Sequence, residues 1–217
     1  MTNATLTIAP ERSAAELCAV DEVKPVAVPG VVPLDRAGTL PDLTPTELLG
    51  VAHALAVQQN LWHPHVRHDP LQRTYHEVAR TDRYSAWLIC WMPGHDTGFH
   101  DHDGSSGVGL VLRGQVIESR LRIGSAEPAA EDRYHAAGLP EAAPLGPPVE
   151  RTCSRGQHFS FAAHDVHRVH HTGDEPAVTL HVYSPVLLRM GSYEIAPNGT
   201  VRRHMLDETE ELRPIRA

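Results

Sequence analysis

Beyond residue 74 the chain breaks into short apolar and β-branched runs separated by Gly, Pro and Asp, and few folds accept that pattern. Ser85–Trp91 (SAWLICW), Gly107–Leu112 (GVGLVL), Gln115–Arg122 (QVIESRLR), His158–Ala162 (HFSFA), Val166–His170 (VHRVH) and Ala177–Ser184 (AVTLHVYS) each read as a strand. Many short strands with glycine punctuation specify an all-β sandwich or barrel rather than a helical or βαβ architecture.

Helix signals are confined to the front of the chain. Thr44-Pro45-Thr46-Glu47 has the form of a capping box with proline at the first helical position. Leu48, Val51, Ala52 and Leu55 follow on one face and predict a helix over 45–59. The stretch 62–69 is rich in His, Pro and Arg and reads as a loop. Residues 1–40 (including VKPVAVPGVVPLDRAG) show no sustained period and read as an irregular arm. The domain is expected over 41–198. Within it, the Ala/Pro-rich 124–150 holds too little apolar content for a core element and reads as a long hairpin insertion. The charged segment 199–217 is expected to be a peripheral tail.

Composition excludes several partners. The net charge of −8 (19 Lys and Arg against 27 Asp and Glu) argues against nucleic acid, which is gripped by clustered positive charge. No apolar run approaches the roughly 20 residues of a membrane helix, and the first residues lack a charged-then-apolar signal pattern. Three cysteines without a CxxC pair do not form a disulfide framework, so a reducing cytoplasm is the expected compartment. The anomaly is 16 histidines, since imidazole is the commonest metal ligand and the usual acid–base group near neutrality.

Two segments concentrate them. Gly94-His-Asp-Thr-Gly-Phe-His100-Asp-His102 is followed by Gly107 and Gly114, and residues two apart on a strand share a face, so one ion can take both His100 and His102. The second segment, 156–171, holds His164, His167, His170 and His171. A lone His-x-His in a His-rich chain is more often accidental. His63 and His65 are such a pair and receive no role. Within the second segment strand alternation alone leaves His171 open beside His167. Asp101 should point away from any ion that His100 and His102 hold.

The two segments resemble the paired motifs of the cupin superfamily. The first motif runs Gly, five residues, His-x-His, a Glu ligand, six residues, Gly. Gly94, His100, His102 and Gly114 fall on that spacing, with Gly107 in place of the Glu. Of the second motif, Gly156 and His167 are kept, which makes His167 the third ligand candidate. The resemblance implies a small cupin-type β-barrel, jelly-roll-like, preceded by one or two N-terminal helices. Three neutral imidazoles without a carboxylate leave a divalent ion its full charge and favour an incoming thiolate.

Among cupins such a site resembles the thiol dioxygenases of the cysteine dioxygenase kind. Their first motif is matched by Cys90-Trp91-Met-Pro-Gly94-His95-Asp-Thr97-Gly-Phe-His100-Asp101-His102. Their later signature is matched by His167-Arg168-Val169 and by Glu175-Pro-Ala-Val-Thr179-Leu-His181-Val-Tyr183-Ser184-Pro185. By this resemblance His100, His102 and His167 hold Fe(II), and a small thiol and O2 combine to a sulfinic acid. Thr179, His181 and Tyr183 form a row in which His181 orients the Tyr183 hydroxyl, and Ser184–Pro185 is expected to be cis. Gly107 stands where the mammalian enzyme carries its crosslinking cysteine, so that thioether is not expected. The family's carboxylate-binding arginine is matched by Arg73 only with a one-residue shift. The other register brings Gln72 to that place, which resembles the 3-mercaptopropionate branch.

The iron assignment rests on the need of O2 chemistry for a redox metal, since three imidazoles equally suit Zn, Ni or Cu. A cupin oxygenase or isomerase acting on a non-thiol molecule, and a non-enzymatic metal-binding cupin, fit the same residues. Tyr183 read without its context is equally a core tyrosine, and Cys90 and Trp91 read as core.

Overall fold

The structure, a computed structural model, describes residues 41–125, 142–144, 146–197 and 201–207. They fall in one compact unit, Leu34–Ala217. The arm expected over 1–40 lies outside the described residues, as does most of the 124–150 insertion.

Helix α1 (Pro45–Val57) starts where the capping box predicts. Glu47 N–H donates to Thr44 Oγ1, and the Glu47 carboxylate reaches back to the Thr44 N–H at 2.8 Å. Leu48, Val51, Ala52 and Leu55 are its buried face. A four-residue helix α2 (Gln59–Trp62) and a 3-10 turn (His63–His65) follow, so the first part of the stretch 62–69 is helical rather than loop. Among the described residues no helix is long and apolar enough to cross a membrane.

Thirteen strands follow among the described residues: β1 (Thr74–Arg80), β2 (Ser85–Trp91), β3 (Phe99–Asp101), β4 (Ser106–Arg113), β5 (Gln115–Leu121), β6 (Ile123–Ser125), β7 (Ala142–Pro144), β8 (Val149–Ser154), β9 (His158–Phe161), β10 (Val166–His170), β11 (Ala177–Ser184), β12 (Arg189–Ile195) and β13 (Val201–Asp207). They form two antiparallel sheets, one ordered β1-β2-β11-β4-β9 and the other β6-β7-β13-β12-β3-β10-β5-β8. From β2 to β5 and again from β8 to β12, consecutive strands alternate between the sheets. This is a jelly roll of the cupin type, with two facing sheets not closed into a barrel. Gly114, at the β4–β5 crossing, has a φ of +66°, and a Cβ there would lie 2.9 Å from the Pro176 carbonyl oxygen. Only glycine meets both conditions.

Strand parity sorts the five-stranded sheet. Its central strand β11 is buried along all eight residues. Leu180 and Val182 pack with Ala86, Val108 and Leu110 against α1. Burying each such side chain contributes about 1.5–3 kcal/mol. The alternate residues Thr179, His181 and Tyr183 point to the other face, between the sheets, where Ile89, Trp91, Phe159, Phe161 and Val169 form a second cluster. The helix thus covers one face of β11 and leaves the other for chemistry.

The segment expected as a peripheral tail is different. Val201–Asp207 pairs with β12 along its whole length, from Ile195↔Val201 to Arg189↔Asp207. Val201 is buried, and Arg203 turns its charge onto Asp101 rather than solvent. At the base of the 124–150 insertion, β6 and β7 pair antiparallel from Ile123↔Pro144 to Ser125↔Ala142.

Candidate metal centre

His100 lies on β3 and His167 on β10, and the two are direct partners across that ladder. His102 follows two residues after His100. One candidate ligand atom from each residue lies within 4.8 Å of the others, and all three side chains are at most 4% exposed. The rivals stand apart. His164 is exposed, His170 meets Ser119 and Glu150, and the His171 Nε2 is 2.7 Å from the Glu175 carbonyl oxygen.

Neighbours fix the ring orientations. His100 Nδ1 is 3.1 Å from the Gly98 carbonyl oxygen, which can only accept, so Nδ1–H is the donor and Nε2 carries the lone pair. His167 Nδ1 lies 3.3 Å from Glu118 Oε1, a carboxylate that Arg120 also holds at 2.9 Å. Burial pushes the Glu118 carboxyl up, but hydrogen bonds from His167 and Arg120 outweigh it and keep the group below its ordinary value. The anionic Glu118 therefore holds His167 as the Nδ1–H tautomer, the arrangement that raises the basicity of a ligating imidazole. His167 Nε2 and both nitrogens of His102 have no hydrogen-bond partner among the described residues.

An orphaned buried polar atom costs about 1–3 kcal/mol, so convergent orphans call for an occupant. Burial, reinforced by neighbouring histidines, holds His100 and His102 well below the usual imidazole range and keeps them neutral. Three neutral, converging imidazoles fit a divalent transition metal.

A pocket adjoins His100. Arg73, Tyr75, Thr97, His181 and Tyr183 line it together with apolar Trp87, Ile89, Val169, Leu187 and Met190. Arg73 is 9% exposed, with its guanidinium 5.5 Å from the Tyr75 ring centre and 5.6 Å from that of Trp91. No carboxylate among the described residues lies within ion-pair reach of it. Gln72 instead makes an isolated bridge with Asp69. Trp87 Nε1 is buried without a partner among the described residues.

Thr179, His181 and Tyr183 form a hydrogen-bonded row. Trp91 Nε1–H donates to Thr179 Oγ1 at 2.8 Å, Thr179 Oγ1 is 3.0 Å from His181 Nε2, and His181 Nδ1 is 3.3 Å from the Tyr183 hydroxyl. Burial pushes His181 down to about 3, so it stays neutral and can carry its proton on either nitrogen. If the Thr179 hydroxyl donates to Nε2, His181 Nδ1–H donates to the Tyr183 oxygen and Tyr183 O–H becomes the donor end of the row. The Ser184–Pro185 bond is cis.

The sequence reading missed Glu118 and Phe161. Glu118 in QVIESRL reads as an ordinary strand glutamate, and only the fold shows it 3% exposed beside His167. Phe161 stacks on His102 with ring centres 4.2 Å apart and planes at 20°. An aromatic residue in a predicted strand carries no signal of such a role.

The family model for cysteine dioxygenase type I matches residues 44–195, which contain the three histidines, Arg73 and the Thr179–His181–Tyr183 row. The chain belongs to this family. Cysteine dioxygenase type 1 of Danio rerio is 33% identical over 105 residues, covering 48% of this chain and 46% of the fish protein. The match thus spans about half the length of that curated relative. Among solved structures, a Thermus thermophilus protein is similar at 22% identity and a TM-score of 0.42, covering 59% of this chain and 94% of its own. A cupin superfamily protein of Desulfitobacterium hafniense gives 13% identity and 0.38, covering 57% and 87%. The three-histidine group, which could hold a metal ion, lies within the span that the family model matches.

Proposed function

We propose that the protein is an Fe(II)-dependent thiol dioxygenase that converts a small carboxylated thiol of the cysteine kind to its sulfinic acid. The observation that carries this reading is the three-histidine cluster at a pocket whose walls hold one buried cation, Arg73, and one oriented phenol, Tyr183. In the reaction, S–H and O2 give SO2H. Sulfur loses four electrons, O2 gains four, and both oxygen atoms end on sulfur with the proton retained by the acid or released to solvent.

His100, His102 and His167 would hold the iron, and among the described residues no carboxylate joins the group. When bound, Fe(II) supplies the Lewis acidity that draws in a thiol as thiolate and the redox capacity that O2 chemistry requires. Arg73 would pair with the substrate carboxylate, and its guanidinium fork suits a bidentate contact better than the amide of Gln72. That geometry favours a cysteine-like substrate over the 3-mercaptopropionate branch. Tyr183 would donate to oxygen or sulfur at the reacting end, with its direction set by His181, Thr179 and Trp91. Ile89, Val169, Leu187 and Met190 exclude water from the chamber, which strengthens each polar contact inside it.

Oxygen uptake by the Fe(II)-loaded protein, challenged with cysteine, 3-mercaptopropionate and cysteamine, tests the reading. The expected result is uptake with cysteine matched by sulfinate formation, and loss of both iron and uptake in His167→Ala. Retained uptake in His167→Ala would remove the ligand assignment. Bound iron with no uptake for any thiol would return the protein to the other cupin readings.

A further inference from the structure

We propose that Arg203, on the C-terminal strand β13, is a positioning residue for the metal centre: it clamps Asp101, the residue between His100 and His102, and so sets the ligand pair in place. The proposal rests on the reading of those histidines as metal ligands.

The residue between two ligands of a His-x-His pair points to the opposite face of its strand. Asp101 does so and is nevertheless only 3% exposed. A buried carboxylate needs compensation for its lost hydration. Asp101 has it in full. Arg203 Nε donates to Oδ2 and Nη2 to Oδ1, both at 2.7 Å, Tyr193 O–H donates to Oδ2 at 2.5 Å, and the Asp103 N–H donates to Oδ1 at 2.9 Å. The Arg203 contact is a two-pronged fork, the carboxylate contact with the most directional control. Arg203 Nη2 also lies 3.3 Å from Asp103 Oδ1, and Arg189 holds Asp103 from the other side at 3.0 Å. Both acids that flank His102 are therefore tied to the β12–β13 hairpin.

The backbone is arranged to permit this reach. Asp101 pairs with Gly191 across β3–β12, and Gly191 pairs with Met205 across β12–β13. Arg203, opposite Tyr193, must pass over Gly191 to touch Asp101. A Cβ at 191 would stand 2.6 Å from the guanidinium carbon. The absent side chain at 191 lets the guanidinium lie flat on the sheet. β3 has only three residues, pairs with β12 at all three but with β10 at a single position in register, and carries one ligand within it and another just beyond its end. His102 lies past the end of that ladder, and the clamp from β13 ties the residues on either side of it to the same hairpin that β3 pairs with.

The test is Co(II) titration of the metal-free full chain, read by ligand-field absorption, with the melting temperature measured with and without metal. The variants are Arg203→Met, Arg203→Lys, Gly191→Ala and His167→Ala. Loss of partners that orient metal ligands typically costs about 10–100-fold in metal affinity. Arg203→Met should weaken Co(II) by that order and shrink the metal-induced rise in melting temperature, and Arg203→Lys should recover part of both. Gly191→Ala, which keeps the charge and displaces the fork, should weaken binding in the same direction and decides the question if Arg203→Met does not fold. Wild-type affinity in folded Arg203→Met or Gly191→Ala overturns the proposal. So does an equal loss of stability with and without metal, which marks the contact as structural only. Unchanged Co(II) binding in His167→Ala would overturn the three-histidine reading itself, and the proposal with it.

Discussion

The ring of Phe161 fills the space that a side chain at Gly107 would need. A Cβ at Gly107 would lie 2.5 Å from Phe161 Cε2 and 2.9 Å from the Val182 carbonyl oxygen. The same ring lies parallel to His102 and within 5.9 Å, centre to centre, of Tyr183. Position 107 is where the cupin pattern offers a glutamate and the mammalian enzyme a cysteine. Here an aromatic ring takes that volume, braces His102 and keeps the side of the centre apolar.

The pair should behave as one unit. Gly107→Ala overpacks the site at about 1–3 kcal/mol. Phe161→Ala opens a cavity at about 3–5 kcal/mol. In the double variant the added methyl enters the vacated space, so the cost should fall below the sum. Urea midpoints of the four proteins measure the coupling, and simple additivity would contradict the packing account.

The row from Trp91 to Tyr183 predicts a split between metal binding and turnover. Tyr183→Phe should retain iron but lower kcat by about a hundredfold or more, the scale of a lost positioned proton donor. Trp91→Phe removes one N–H from Thr179 Oγ1 and should cost about 0.5–1.5 kcal/mol of stability with a smaller loss of kcat. Metal analysis beside steady-state kinetics checks both. Unchanged kcat in Tyr183→Phe would leave Tyr183 as a core residue.

Arg73 should act on KM, and only for substrates with a carboxylate. A hydrogen bond to a charged group is worth about 1.5–3 kcal/mol, so Arg73→Met should raise KM for cysteine roughly ten- to a hundredfold. Cysteamine, which lacks the carboxylate, should turn over alike with both proteins. An equal loss for the two thiols would place Arg73 in the framework rather than at the substrate.

Acid should destabilise the metal-free protein. Burial holds His181 at about 3 against an ordinary 6.5. His100, His102 and His167 are likewise lowered, chiefly by burial. Below about pH 6.5 the unfolded chain takes up protons that the folded chain refuses, so stability falls as pH drops from there toward 3. Above 6.5 this contribution is level. Melting temperatures of metal-free protein between about pH 8 and 5 should stay flat and then decline. Bound metal should delay the decline until protons compete for its ligands. A flat profile down to pH 5 would mean that the unfolded chain gains no protons over the folded one.

Much of this was readable from residues alone, and the reasons differ by element. β2, β10 and β11 run where SAWLICW, VHRVH and AVTLHVYS predict, because each is a short run with β-branched, apolar or aromatic residues bounded by Asp, Gly or Pro. The histidine cluster was legible in two parts: alternation puts His100 and His102 on one strand face, and the paired-motif spacing singles out His167, which alternation alone does not separate from His171. β12 and β13 were not, since RMGSYEI and VRRHMLD carry charges that only the folded sheet pairs, as in Arg203 with Asp101. The register that separates Arg73 from Gln72 also needed coordinates. Local sequence there is a bend without period, and one residue of slip exchanges the two side chains.

Turnover with cysteine under isotopically heavy O2, followed by mass analysis of the product, tests the central claim most directly. The account predicts a sulfinic acid carrying two heavy oxygen atoms, formed by the Fe(II)-loaded protein and absent with His167→Ala. A product with one heavy atom or none, or cystine alone with the oxygen recovered as peroxide or water, would contradict it.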